Sequence, residues 1–162
     1  MVSLCYNSPI GPLLIAEEDG CIVEISFMEA DTRQKFNRIE KPSKHPEKAP
    51  VAKACIKELE AYFAGKLKEF TVPVKLHGTE FRKQVWDALM TIPYGETISY
   101  KQLAQRIGNP SAIRAVGGAN NHNPVSIIVP CHRVIGADGK LVGYGGGLSN
   151  KTFLLDLEKK YS

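Results

Sequence analysis

Short β-prone runs open the chain, and helical spacing takes over further on. Residues 2–6, 12–16 and 21–27 read as strands. The second and third follow the turn signals Pro9-Ile10-Gly11 and Asp19-Gly20. An antiparallel meander is the simple arrangement. Residues 29–50 are polar around Lys41-Pro42-Ser43-Lys44-His45-Pro46 and read as loop with room for a helix. Pro50 then stands where a helix can start, because a first-turn N–H has no helical partner to lose. Val51, Cys55, Leu59, Tyr62 and Phe63 recur at helical spacing, and Gly65 is placed to end that helix. Phe70-Thr71-Val72-Pro73-Val74 reads as a further extended segment. Residues 1–76 therefore read as a small α/β domain, and nothing in them demands chemistry.

The pattern changes over residues 77–162, which read as a second, mainly α domain. Thr79 is a plausible N-cap, with Glu80 near the positive helix end. Phe81, Val85, Trp86, Leu89 and Met90 line one face, with Trp86 as core packing, and Pro93-Tyr94-Gly95 closes the segment. Ser99 can cap a next helix carrying Leu103, Ala104 and Ile107. Gly108-Asn109-Pro110 breaks it, and a further helix runs from Ser111 to about Asn120. Helix, short glycine-containing turn, helix is the pattern of a helix-turn-helix. The second of these helices carries Ala112, Ala115, Gly117, Gly118 and Ala119, with Arg114 as its one long basic side chain. Small residues let a helix backbone approach a minor groove, and a lone Arg can fill the gap left by an extruded base. A small-residue face packed on another helix fits the same composition.

Charge sharpens this picture. Residues 1–76 carry 11 Lys+Arg against 11 Asp+Glu, whereas residues 77–162 carry 10 against 6 and so hold the whole net charge of +4. Between Glu96 and Asp138 there is no acidic residue, while Lys101, Arg106, Arg114 and Arg133 lie inside that interval. Phosphates would meet no carboxylate there. No apolar run reaches membrane-span length, and the first residues lack the basic and apolar regions of a secretory signal. The expectation is a cytoplasmic protein, nuclear in a eukaryote. The four cysteines form no CxxC pair, so a zinc finger is not expected. Cys5, Cys21 and Cys55 read as small buried hydrophobes in a reducing compartment.

Cys131 is different. Val125-Ser126-Ile127-Ile128-Val129 is a strand-like apolar run ending at Pro130, followed at once by Cys131-His132-Arg133. Neighbouring positive charge lowers a thiol pKa, and the thiolate is the nucleophile. Neighbours on a strand point to opposite faces. Cys131 and His132 can therefore cooperate only if the chain turns there, or through a water. A structural cysteine remains the alternative on these residues alone.

Pro130-Cys131-His132-Arg133-Val134 resembles the active-site signature of the O6-alkylguanine-DNA alkyltransferases, also called methylated-DNA–protein-cysteine methyltransferases. Further blocks resemble the same family in the same order. These are Phe81-Arg82-Lys83-Gln84-Val85-Trp86, Tyr94-Gly95-Glu96, Ser99-Tyr100, Arg114-Ala115-Val116-Gly117-Gly118-Ala119, Asn123-Pro124 and Gly146-Gly147-Leu148. The likeness is specific over residues 77–158 and looser over residues 1–76. It implies a ribonuclease-H-like α/β domain followed by a mainly α domain with a winged helix-turn-helix. It implies irreversible, single-turnover transfer of an alkyl group from O6-alkylguanine, and from O4-alkylthymine, to Cys131, with the base flipped through the minor groove of double-stranded DNA.

The resemblance also implies roles. His132 would take the Cys131 proton through a water, and Glu158 would orient His132. Asn123 would hold the loop, and Tyr100 would donate to guanine N3. Arg114 would intercalate from a helix whose Ser111, Ala112, Ala115, Gly117 and Gly118 face DNA. Arg133 would add a DNA contact. The main chain at Cys131 and Val134 would read the exocyclic amine, and Tyr144 would stack over the base. Many family members carry Ser where Gly145 stands, so a roomier pocket is expected here. Neither metal nor cofactor is implied, and a monomer with no obligate protein partner is expected. Three readings compete. A lesion-binding relative without transfer activity would lack the reactive cysteine, and Cys131 is present. A helix-turn-helix regulator would leave Cys131, His132 and Glu158 without a purpose, and a Cys/His hydrolase would need an oxyanion hole.

Overall fold

A computed structural model of the chain describes residues 1–28, 46–141, 144 and 147–162. It falls into two compact units, Met1–Leu76 and His77–Ser162.

In the first unit, β1 (Val2–Ser8), β2 (Gly11–Glu18) and β3 (Cys21–Phe27) form an antiparallel sheet in the order β1-β2-β3. The expected meander is present. Asp19 and Gly20, both at positive φ, make the second turn. Helix α1 (Pro50–Phe63) packs on this sheet through Ala52, Cys55, Leu59 and Tyr62, with Pro50 in its first turn. Its N-cap, Ala49, has no side chain to offer the first N–H groups. Glu17 supplies the missing acceptor. A register shift between Ala16 and Glu17 interrupts the β2–β3 pairing. The buried Glu17 Oε1 accepts from Val51 N at 2.9 Å and Ala52 N at 3.0 Å. The extended segment near Val74 joins by one parallel bridge to Ile22. Of the cysteines, Cys55 is fully buried, but Cys5 is exposed and Cys21 half-exposed, against the expectation. Both stand on strands, where alternate side chains face away from the helix. The polar stretch 29–45 lies outside the described residues.

In the second unit, α2 (Glu80–Leu89) begins at Thr79, whose side chain accepts from Arg82 N at 3.2 Å. Trp86 is buried, and its indole N–H donates to Ala119 O at 2.9 Å. Helix α3 (Tyr100–Arg106) starts in a full capping box between Ser99 and Gln102. After the break at Gly108, α4 spans Ile113–Asn121. Ser111 and Ala112 therefore precede this helix rather than open it. The Ser111 hydroxyl donates to Asn109 Oδ1, and Ala112 N donates to Asn109 O, so the turn extends through them. Strands β4 (Ile98–Ser99) and β5 (Val134–Ile135) pair in parallel. A tight turn at residues 136–140 follows β5 and forms the wing, with Gly136 N bonded to Lys140 O at 2.8 Å. Helix α5 (Leu148–Tyr161) buries Lys151, Leu154 and Glu158 along one face.

Residues 125–129 are not a strand. Ile127 has φ 74°, rare for a β-branched residue, and Ile128 N donates to Ser126 O at 2.9 Å across a γ-turn. A second, inverse γ-turn lies at Pro130 (φ −83°, ψ 64°), where Cys131 N donates to Val129 O at 2.8 Å. High β-propensity expresses fit to a pleated surface. Here Asn123 supplies the polar partners that a neighbouring strand would. Its Oδ1 accepts from Val125 N at 3.0 Å, and its Nδ2 donates to Val129 O at 2.7 Å.

Candidate active site

The two γ-turns deliver the chain into a single 3₁₀ turn, Cys131–Arg133. Cys131 and His132 thus sit on a turn, the condition their cooperation requires. All three residues of the turn are buried. Helix α5 packs against it, and the face carrying Lys151 and Glu158 supplies two ionised groups.

His132 is fully buried, and its Nε2 lies 2.6 Å from Glu158 Oε2. A carboxylate can only accept, so Nε2 carries the proton and Nδ1 keeps its lone pair. Nδ1 is buried with no partner among the described residues. Burial lowers the His132 pKa, and Glu158 opposes that shift. The imidazole is therefore neutral at neutral pH. Burial alone would raise the Glu158 pKa, but its bonds to His132 and Arg133 outweigh it and hold the carboxyl well below the ordinary range.

Arg133 departs from expectation. Its guanidinium is not offered to DNA. Nε donates to Glu158 Oε1 at 2.7 Å, Nη2 to Glu158 Oε2 at 3.1 Å, and Nη1 to Ile92 O at 2.7 Å. A buried carboxylate needs a countercharge in fork geometry, and Arg133 provides it.

The Cys131 thiol also departs from expectation. Burial pushes its pKa up to about 11, against a hydrogen bond from Asn123 and the positive charge of Lys151. The resting group is a thiol rather than a thiolate. Lys151 was not singled out from sequence. It is fully buried, with Nζ donating to Val134 O at 2.6 Å, and burial lowers its pKa while Cys131 raises it. The available signal was spacing: Lys151, Leu154 and Glu158 share one helical stripe. Asn120 was missed too. It is buried on α4, and its Nδ2 donates to Cys131 O at 3.4 Å.

The remaining expected residues are positioned as follows. Tyr100, the first residue of α3, is half-buried, hydrogen-bonded to Asn120 and within the field of Cys131. A Cβ on Gly117 would stand 3.9 Å from the Tyr100 ring. On α4 and the turn before it, Ser111, Arg114, Ala115 and Gly118 are exposed, and Ala112 and Gly117 are half-buried. A Cβ on Gly118 would meet nothing within 4 Å, so that part of the face is open. Val134 is buried in β5. Burial, with the charges of Cys131 and Glu158, raises the Tyr144 pKa well above its ordinary value, which puts its hydroxyl near the same cluster. Gly143, Gly145 and Gly146 lie outside the described residues. A separate open cleft of about 530 Å³ is lined by Ser99, Lys101, Gln102, Ile135 and Gly139 between α3 and the wing. Among the described residues no three His, Cys, Asp or Glu side chains are grouped to hold a metal ion, and no helix is long and apolar enough to cross a membrane.

The first unit is thus a small antiparallel sheet with one helix, and the second a winged helix-turn-helix that buries Cys131, His132 and Glu158. Residues 1–76 match the 6-O-methylguanine DNA methyltransferase ribonuclease-like domain, and residues 80–160 match the DNA binding domain of the same family. A methylated-DNA–protein-cysteine methyltransferase of Methanosarcina acetivorans is 52% identical over 153 residues, covering 94% of this chain and 95% of that protein. Its Mycobacterium leprae counterpart is 50% identical over 94% of this chain and 89% of its own length. The crystal structure of Mycobacterium tuberculosis OGT in complex with DNA superposes with TM-score 0.86 at 47% identity, covering all of this chain (100%) and 95% of that one. The chain belongs to the 6-O-methylguanine DNA methyltransferase family.

Proposed function

We propose that this chain repairs alkylated guanine in double-stranded DNA by moving the O6-alkyl group onto its own Cys131. The observation that carries the reading is the buried imidazole of the residue that follows Cys131 in the same turn: His132 Nε2–H is held by Glu158, and Nδ1 has no partner among the described residues. A protonated thiol with a pKa near 11 needs such a base. The Cys131 S–H proton passes to His132 Nδ1 through a bridging water as sulfur attacks the alkyl carbon. The C–O6 bond breaks, and its electron pair stays with the purine. Tyr100 gives its hydroxyl proton to guanine N3 as that charge develops. The imidazolium proton then returns through solvent to the phenolate. The net change is one thiol hydrogen on guanine and one alkyl group on sulfur. Lys151 supplies positive charge while the sulfur is negative.

Flipping a base costs on the order of a few kcal/mol. The exposed face of Ser111, Ala115 and Gly118 supports close approach to a minor groove, with Ala112 and Gly117 beside it and Arg114 free to enter the stack. The main chain of Cys131 and Val134 reads the exocyclic amine, Tyr144 stacks on the base, and Asn123 fixes the loop. O4-alkylthymine presents the same electrophilic carbon and is a second substrate. A thioether has no leaving path here, so each molecule acts once, as a monomer and without cofactor or metal. Residues 1–76 form the supporting domain and 77–162 the acceptor domain. We assign the protein to the cytoplasm, or the nucleus in a eukaryote.

The test is intact mass after mixing with duplex DNA containing O6-methylguanine. One methyl gain per chain is expected, on Cys131, and none in Cys131→Ala. A gain on another residue, or more than one lesion repaired per chain, would overturn the proposal.

A further inference from the structure

Asn120 lies at the inner end of α4, 1% exposed, between two groups of the acceptor site. Its Nδ2 donates to the Cys131 carbonyl at 3.4 Å, and its amide hydrogen-bonds the Tyr100 hydroxyl. The carbonyl can only accept, so it selects the amide orientation that turns Nδ2 toward it. Oδ1 is then left buried with no partner among the described residues. An unsatisfied buried acceptor is costly, and an apolar side chain of equal size would avoid that penalty. An amide at this position is therefore explained by what its N–H groups do, not by packing.

A tyrosine hydroxyl has one hydrogen and two acceptor lone pairs. When Asn120 donates to its oxygen, the Tyr100 hydrogen cannot point at Asn120. It must point elsewhere, and the bond from Asn120 opposes the rise in the Tyr100 pKa that burial causes. We infer that Asn120 is a positioning residue of the transfer reaction: its amide aims the Tyr100 hydroxyl hydrogen at the departing purine. The inference rests on the reading of Tyr100 as the proton donor to guanine. It ties the DNA-facing helix to the donor, because Asn120 and Arg114 stand on the same helix.

The experiment compares two methyl donors that leave the same S-methyl group on Cys131. Guanine needs a proton as it departs. Iodide from iodomethane does not, so there S–H and C–I bonds are exchanged for S–C and hydrogen iodide. Asn120→Leu, with Asn120→Ala as the second variant, is expected to slow transfer from O6-methylguanine duplex about tenfold. Methylation by iodomethane should change by less than about twofold, and in a Tyr100→Phe background Asn120→Leu should add less than about twofold. Equal slowing with both donors would mean that Asn120 only supports Cys131 structurally, and would overturn the inference. So would a full tenfold loss on top of Tyr100→Phe. If the unaltered chain took methyl from iodomethane but none from the duplex, the functional reading itself would fail, and the variants would not be needed to see it.

Discussion

Two buried cysteines, one in each unit, teach opposite lessons. Cys55 on α1 is fully buried among Ala52, Leu59 and Tyr62. Burial and then the charge of Glu58 push its thiol up to about 12, and no group opposes the shift. Cys131 is buried as deeply, yet Asn123 and Lys151 pull the other way and hold it near 11. Among the described residues, the buried polar side chains around it are Asn120, Asn123, His132, Arg133, Lys151 and Glu158, whereas those of the first unit are Ser3, Glu17 and Ser26. Glu17 is accounted for by capping α1. Asn123 likewise braces the loop before Cys131, but the cluster also buries the charges of Arg133, Lys151 and Glu158, and replacing buried ion pairs with apolar groups is often neutral or stabilising. Burial does not separate an inert thiol from a reactive one. The titratable groups packed around it do.

The largest expected contrast is between the two cysteines themselves. Replacing Cys131 with Ala removes all transfer, while Cys55→Ala leaves the transfer rate intact and costs about 1 kcal/mol of stability by chemical denaturation. Glu158→Gln comes next. It leaves Arg133 without its countercharge and His132 without its anion, so stability should fall by about 3–5 kcal/mol. Transfer should slow about a hundredfold in single-turnover assays. Lys151→Met removes the positive charge that opposes burial of the thiolate, and transfer should slow about tenfold with the thiol pKa moving further up. Gly118→Ala is the mildest. A methyl there meets nothing within 4 Å among the described residues outside its own helix backbone, so the helix gains about 0.5–1 kcal/mol. Binding to duplex DNA should nevertheless weaken, and a mobility-shift titration would show it. Unchanged binding would mean that this open face does not approach DNA.

How far the chain could be read in advance follows the range of the interactions. Local signals were legible: Thr79 and Ser99 as caps, Pro50 at a helix start, the turn at Asp19-Gly20 and the break at Gly108. The motif around Cys131 pointed to the family. What local reading could not reach were partners far apart in sequence. Residues 125–129 looked like a strand because β-propensity is blind to whether a neighbouring strand exists. Arg133 was expected to contact DNA because its partner Glu158 lies 25 residues on. Lys151 and Asn120 passed unnoticed because burial of a Lys and the pairing of an Asn are tertiary facts. The thiol was expected to be acidic because adjacent positive charge is visible in sequence, whereas desolvation is not.

Two of the buried ionisable groups, His132 and Glu158, also set a direction for acid sensitivity. His132 has a folded pKa below its unfolded value, so the neutral form is favoured in the fold. Its contribution is complete above about pH 6.5 and erodes as pH falls. The depressed Glu158 adds stability above its unfolded pKa of about 4.3 that is lost on further acidification. Both act in the same sense.

The most direct measurement is the rate of Cys131 methylation by O6-methylguanine duplex across about pH 5 to 9.5. With neutral His132 taking the proton, the rate climbs as pH passes upward through the lowered histidine pKa and then stays level. A rate that keeps growing about tenfold per pH unit toward the thiol pKa near 11 would mean that free thiolate attacks unaided, and His132 would have no part in the chemistry.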